Sequence, residues 1–145
     1  MTKILVIGGG VAGTTFIMRA TKMDWDITLV DPKEFFEVPF ASLRGLMDPD
    51  GFGRRTRKGC GDLLGVTHIQ AKVGKLHSDK AILDNGTEVP FDYAVVATGS
   101  AIRGFDGLKI NTTQSLAERE SQWRLENGHS GGPSSLLTPR LNRVT

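Results

Sequence analysis

Near the N-terminus an apolar run, Lys3-Ile4-Leu5-Val6-Ile7, passes directly into Gly8-Gly9-Gly10-Val11-Ala12-Gly13 and then into Thr14-Thr15-Phe16-Ile17-Met18-Arg19-Ala20. No other feature restricts the fold as much. The order is a buried strand, a G-x-G-x-x-G turn and the start of a helix. Each glycine has a physical task at its spacing. Gly8 permits the tight turn off the strand, Gly10 lets backbone approach a pyrophosphate, and Gly13 lets the helix pack closely on the strand. The helix N-terminus then directs its N–H groups and dipole at an anion. A second apolar run, Asp26-Ile27-Thr28-Leu29-Val30, ends in Asp31, eighteen residues after Gly13. An acid at that place is where a ribose hydroxyl pair would be held. A glycine match alone is weak, but strand, helix, second strand and terminal acid in this order are specific for a dinucleotide.

Composition narrows the class. With 145 residues, 39% apolar and 23% charged, the chain can bury one core of ordinary soluble type, and is short for two domains. The net charge of +2 gives no electrostatic case for nucleic acid. The basic run Arg54-Arg55-Thr56-Arg57-Lys58 has no aromatic partners for base stacking and reads as a solvated loop. Cys60 is the single cysteine, so no intrachain disulfide forms, and a cytoplasmic, reducing location is expected. With no C-x-x-C partner, it reads as a buried or loop thiol. The first strand starts by Lys3, so no leader is expected, and Thr2 stands where N-myristoylation needs glycine, so no such anchor is expected. No apolar stretch reaches membrane-spanning length, so no integral membrane segment is expected.

After Asp31-Pro32-Lys33 comes an apolar segment from Phe35 to Met47, with a short helix expected around Ala41 to Met47. Asp48-Pro49-Asp50-Gly51 is a turn signal. From Thr67 the pattern alternates. Ile69, Ala71 and Val73, then Ala81 and Leu83, then Val89 and Phe91 predict an antiparallel meander over 69 to 91. Asp84-Asn85-Gly86 predicts its hairpin, of the kind preferring two positive-φ residues. Tyr93-Ala94-Val95-Val96-Ala97 is a continuous apolar run suited to a strand buried on both faces, and it ends in Thr98-Gly99-Ser100. The expected fold class is α/β, a Rossmann-like three-layer unit with a parallel sheet of the strands near residues 3, 26 and 93 and an inserted antiparallel β-meander. Ser115-Leu116-Ala117-Glu118 is a capping box that predicts a helix over 115 to 127, and the Gly/Ser/Pro-rich stretch beyond Gly128 reads as disordered.

These segments together resemble the apoptosis-inducing-factor-like and type II NADH dehydrogenase-like flavoproteins of the two-dinucleotide-binding oxidoreductases. The resemblance is carried by Ile7-Gly8-Gly9-Gly10-Val11-Ala12-Gly13 with Val30-Asp31, by Ala41-Ser42-Leu43-Arg44, by Ala71-Lys72-Val73, and by Phe91 through Ser100. It implies an FAD/NAD(P)-binding fold with FAD as cofactor and NAD(P)H as co-substrate. Hydride would pass from NAD(P)H to the flavin, and electrons on to a quinone or other acceptor. By the same resemblance Gly8, Gly9, Gly10, Val11, Ala12 and Gly13 would hold the FAD pyrophosphate. Asp31 or Lys33 would reach the adenosine ribose, and Arg44 would line the flavin channel. Val73 would offer backbone groups to adenine, and Thr98 and Gly99, at the A-T-G strand end, would also bind the cofactor.

The resemblance divides the chain into an FAD-binding part at 1–104, a connecting segment with a helix at 105–128, and a tail at 129–145. Relatives continue there into a strand and a second glycine fingerprint for NAD(P)H, where this chain has His129-Ser130-Gly131-Gly132-Pro133. A non-catalytic, truncated FAD- or nucleotide-binding form is therefore an alternative to a turning-over oxidoreductase. A stand-alone NAD-binding Rossmann protein is the third reading. Other chemistry is thin. His68, His77 and His129 are scattered, so no metal site is expected, and Ser100 lacks both a G-x-S-x-G context and an oriented base. No residue is singled out as catalytic.

Overall fold

The computed structural model describes residues 1–38, 41, 44, 48, 51–52, 55–100, 115 and 117–118, with 62 and 63 described by backbone alone. In chain order the elements are β1 (Thr2–Ile7), α1 (Val11–Ala20), β2 (Trp25–Val30), β3 (Phe35–Glu37), β4 (Arg57–Gly59), α2 (Cys60–Leu64), β5 (Thr67–Ile69), β6 (Val73–Leu76), β7 (Lys80–Leu83), β8 (Glu88–Pro90) and β9 (Tyr93–Val96).

A four-stranded parallel sheet in the order β5-β2-β1-β9 forms the middle layer. Because side chains alternate along a strand, β1 feeds two cores at once. Ile4 and Val6 face α1 and α2 and pack with Ile17, Ala20, Ile27, Leu29, Cys60 and Leu64. Leu5 and Ile7 face the other way and pack with Val30, Ala71, Ala81, Leu83 and Val89, where the three-stranded β6-β7-β8 meander forms the third layer. The three-layer α/β architecture expected from the sequence is therefore present. Backbone ties fix its upper end. Gly8 N–H donates to the Val30 carbonyl at 2.9 Å, and Ala97 N–H to the Ile7 carbonyl at 2.8 Å.

Three expectations need correction. The parallel sheet has a fourth strand: β5 pairs with β2 through Thr67–Thr28, His68–Leu29 and Ile69–Val30, so the meander starts at Val73 and not at residue 69. The run Tyr93 to Ala97 is not buried on both faces. Among the described residues β9 is the edge strand, and Tyr93 is 67% and Val96 63% exposed, while Ala94 and Val95 are half-buried on opposite faces. Apolar composition signalled a parallel strand but not its place in the sheet. The third correction concerns the basic run. Arg57 opens β4 and is 2% exposed, paired in register with Glu37 on β3, whereas Arg55 and Lys58 are exposed. Antiparallel pairing carries Arg57 inward, and Arg54 lies outside the described residues.

Local signals held with one change. Leu83 and Thr87 close a three-residue loop in which Gly86 has φ +83° and donates to the Leu83 carbonyl. Asn85 has negative φ and uses its side-chain oxygen to accept the Thr87 N–H at 2.9 Å. This is a type I turn followed by a left-handed glycine, which needs one positive-φ residue and not two. The Asp48 carboxylate accepts the Gly51 and Phe52 N–H groups, and both bonds hold its pKa below the ordinary value. The capping box is reciprocal. Ser115 N–H donates to Glu118 Oε2 at 2.9 Å and Glu118 N–H to Ser115 Oγ at 3.2 Å. Most of the expected 41–47 and 115–127 helices, and the 129–145 tail, lie outside the described residues.

Candidate functional site

At the C-terminal ends of β1, β2 and β9 the sheet opens into a cavity of about 500 Å³. Ligands of open α/β sheets bind at this end, because strand ends and helix N-termini converge there. The turn between β1 and α1 forms its floor. Gly8 has φ +105°, and a Cβ there would also run into the Ala97 carbonyl, so only glycine serves. A Cβ on Gly13 would overlap the Gly8 carbonyl oxygen, which explains how closely α1 sits on the turn. Gly10 differs from both. Its φ of −78° suits any residue, and a Cβ built there meets no atom within 4 Å. The space above it is the cavity itself. Gly10 caps α1 with no side-chain hydrogen bond, and the first turn carries no acidic residue. The N-terminal N–H groups and the positive end of the helix dipole are thus left for an anion in the cavity.

Asp31 stands at the end of β2, 6% exposed, and its two oxygens are divided between neighbours. Oδ2 accepts the Gly9 N–H at 2.6 Å, and Oδ1 accepts the Lys33 N–H at 2.7 Å. The carboxylate therefore braces the glycine turn against the β2–β3 connection. Lys33 carries its ammonium 5.7 Å from the centre of the Phe35 ring. Beneath the site Cys60 is fully buried. Its thiol pKa is pushed up to about 12, first by desolvation and then by the Asp31 charge, with Lys33 opposing. A thiol so held is inert at neutral pH.

Of the residues singled out from the sequence, Gly8, Gly10, Val11, Ala12, Asp31, Lys33, Val73, Thr98 and Gly99 line the cavity. Gly9 and Gly13 lie behind it as supports. Arg44 is not among the lining residues. It is exposed, with its guanidinium 4.4 Å from the centre of the Phe52 ring. The cavity also takes in residues that sequence reasoning passed over, chiefly Glu37, Lys72 and Ser100. Glu37 had a usable signal: alternation along Phe35-Phe36-Glu37 puts it on the buried face of β3 with Phe35.

The model of the family described as pyridine nucleotide-disulphide oxidoreductase matches residues 2–131. The chain belongs to the pyridine nucleotide-disulphide oxidoreductase family. Within it, the resemblance to apoptosis-inducing-factor-like and type II NADH dehydrogenase-like proteins holds, and FAD with NAD(P)H is the cofactor pair of that group. Ferroptosis suppressor protein 1 of Xenopus tropicalis is 31% identical over 100 residues, covering 68% of this chain and 26% of that protein. Apoptosis-inducing factor homolog A of Dictyostelium discoideum is 28% identical over 99 residues, covering 68% and 24%. The chain thus spans about a quarter of the length of these curated relatives. Among solved structures, the sulfide:quinone oxidoreductase of Aquifex aeolicus superposes with a TM-score of 0.60 at 22% identity, covering 89% of this chain and 33% of that one. NDH2 of Plasmodium falciparum, in complex with NADH, gives 0.58 at 18% identity, covering 72% and 24%. At these identities the two structures establish the family fold alone. Among the described residues, no helix is long and apolar enough to cross a membrane.

Proposed function

We propose that this chain binds FAD as part of an NAD(P)H-dependent flavin oxidoreductase, in which electrons pass from NAD(P)H through the flavin to a quinone or another acceptor. The observation that carries the reading is the open cradle at Gly10, where helix N-terminus, glycine turn and cavity meet with space no protein atom fills. The residues present fit the adenosine-pyrophosphate half of such a cofactor. Gly10, Val11 and Ala12 would hold the pyrophosphate by backbone N–H groups, while Gly8 and Gly9, whose N–H groups are tied to Val30 and Asp31, shape the turn and Gly13 keeps α1 close. Asp31 and Lys33 stand on the adenosine side, Val73 would meet the adenine edge, and Thr98 and Gly99 border the opening of the cavity. Arg44 would serve the flavin side only by leaving its position over Phe52. Bound flavin supplies the redox chemistry, and the chain's own residues bind and orient it.

A quinone acceptor is favoured by the likeness to the sulfide:quinone oxidoreductase of Aquifex aeolicus, which acts on a quinone. A cytoplasmic site of action is supported by the single buried thiol of Cys60. Calorimetry with FAD and with NAD tests the cofactor assignment. Tighter binding of FAD, accompanied by a flavin absorbance that copurifies or is retained on gel filtration, is the expected result. Tighter binding of NAD would replace it with the stand-alone NAD-binding reading. Bleaching of bound flavin by NADH separates a redox-competent chain from a purely binding one.

A further inference from the structure

We infer that Asp84 is a positioning residue for the base-binding wall of the cavity. By holding both backbone groups of Lys72, it turns the N–H and C=O of Val73 away from the meander, as a donor–acceptor pair that accepts adenine and rejects hypoxanthine. The inference rests on the dinucleotide reading above and deepens it, since adenine at Val73 requires a backbone turned the right way. Asp84 opens the hairpin, where aspartate is common for the sake of the turn. Its bond to Lys72, twelve residues away in sequence, is not a turn bond.

Ala71, Lys72 and Val73 line the cavity where the chain passes from β5 into β6. Lys72 stands just before β6, across from Asp84, and is held twice. Asp84 N–H donates to the Lys72 carbonyl at 2.8 Å, and Lys72 N–H donates to Asp84 Oδ1 at 3.2 Å. In an antiparallel ladder, a pair that exchanges both bonds is followed by a pair that exchanges none. The Asp84 carboxylate stands in for the second carbonyl, so Lys72 and Asp84 form the bonded pair and Val73–Leu83 the unbonded one. Leu83 agrees with that phase, because its N–H donates to the Thr87 carbonyl at 2.9 Å, on the side of β8. The Val73 side chain packs into the meander-side core. Its N–H and C=O therefore face the edge of β6 away from β7. The phase needs a fastener here. Register shifts between Val73 and Lys75, with Gly74 as the extra residue, so the ladder is broken on one side of Val73 and the Asp84 clamp holds the other. Adenine presents an amino donor beside a ring-nitrogen acceptor, which one residue's C=O and N–H complement. Hypoxanthine presents an oxygen and an N–H in those places and reverses both.

The test is calorimetry on the full chain with ADP and inosine diphosphate. Wild type is expected to bind ADP at least about tenfold more tightly, the scale of a two-bond base contact. Asp84→Ala should bring that ratio to about threefold or less, by losing ADP affinity while inosine diphosphate binds nearly as before. Asp84→Asn keeps a side-chain oxygen for the Lys72 N–H and should keep the ratio. Asn85→Ala removes the acceptor of the Thr87 N–H but leaves the clamp, so it loosens the hairpin with the ratio unchanged. A merely structural role for Asp84 would weaken both nucleotides alike. If circular dichroism shows Asp84→Ala misfolded, amide hydrogen exchange on wild type decides. The Val73 amide should exchange fast in the free chain and be slowed by ADP but not by inosine diphosphate, and a Val73 amide already protected in the free chain overturns the inference. Equal binding of the two nucleotides by wild type overturns it too, as does a folded Asp84→Ala that keeps the wild-type ratio or an asparagine variant as indiscriminate as the alanine one. Each of these leaves the site standing. Failure of wild type to bind ADP would instead sink the dinucleotide reading itself.

Discussion

Gly10 and Gly13 belong to one fingerprint, yet substitution should divide them cleanly. In Gly10→Val the new Cβ meets nothing within 4 Å, and the backbone at φ −78° and ψ −171° is ordinary extended geometry. Replacing a glycine N-cap by an apolar residue costs up to about 1 kcal/mol. The stiffer unfolded chain offsets about 0.4–1 kcal/mol of that. The net change should lie within about 0.5 kcal/mol, or roughly 3 °C in Tm. The side chain nonetheless stands where a pyrophosphate would approach. FAD or ADP affinity should fall at least about 100-fold, equivalent to about 2.7 kcal/mol. Gly13→Ala inverts the pattern. Its Cβ would overlap a backbone oxygen that cannot rotate away, that of Gly8. Overpacking costs about 1–3 kcal/mol or more, and the helix propensity of alanine returns about 1 kcal/mol. A net loss on the order of 1–2 kcal/mol follows, with Tm down by about 5 °C. Differential scanning calorimetry and isothermal titration on the two variants read both quantities. The reasoning fails if Gly10→Val is destabilised as much as Gly13→Ala, or if it binds FAD like wild type.

Asp31→Ala should cost about 1–3 kcal/mol, because the buried Gly9 N–H loses its acceptor; urea unfolding checks this, and a change below about 0.5 kcal/mol would mean the brace is unimportant. Cys60 should resist Ellman's reagent at pH 8 and react fully in denaturant. Its raised pKa also has a signed consequence. Between about pH 9 and about pH 12 the unfolded thiol ionises while the buried one does not, so its contribution is complete below pH 9 and is lost as pH rises. Stability should fall in that window by on the order of 1.4 kcal/mol per pH unit from this group, and thiolate absorbance near 240 nm appearing in the native protein at pH 9 would contradict it. Leu5→Ala, at a fully buried position between the parallel sheet and the meander, should cost about 2–5 kcal/mol. Val96→Ala, at an exposed position of β9, should stay within about 0.5 kcal/mol by the same unfolding assay.

The sequence alone determined most of what depends on a few consecutive residues. The glycine spacing set the β1–α1 turn, since a left-handed φ at Gly8 and a missing Cβ at Gly13 are local requirements. Ser115 and Glu118 announced their reciprocal cap, and Asp84-Asn85-Gly86 its hairpin, although the sequence did not reveal that Gly86 alone would carry positive φ. Strand pairing was another matter. Hydrogen-bond partners lie tens of residues apart, and a three-residue strand such as Thr67–Ile69 looks the same whether it joins β2 or the meander. The apolar run at Tyr93 is likewise compatible with a central or an edge strand, and only assembly put it at the edge of the sheet formed by the described residues. Tertiary structure also turned Arg57 from one member of a basic run into a buried partner across from Glu37. It brought Glu37, Lys72 and Ser100 to the cavity and left Arg44 over Phe52. The physical reason is the same throughout. Backbone dihedrals and caps are fixed by neighbours in sequence, whereas burial and the approach of charges are fixed by which surfaces the sheet brings together.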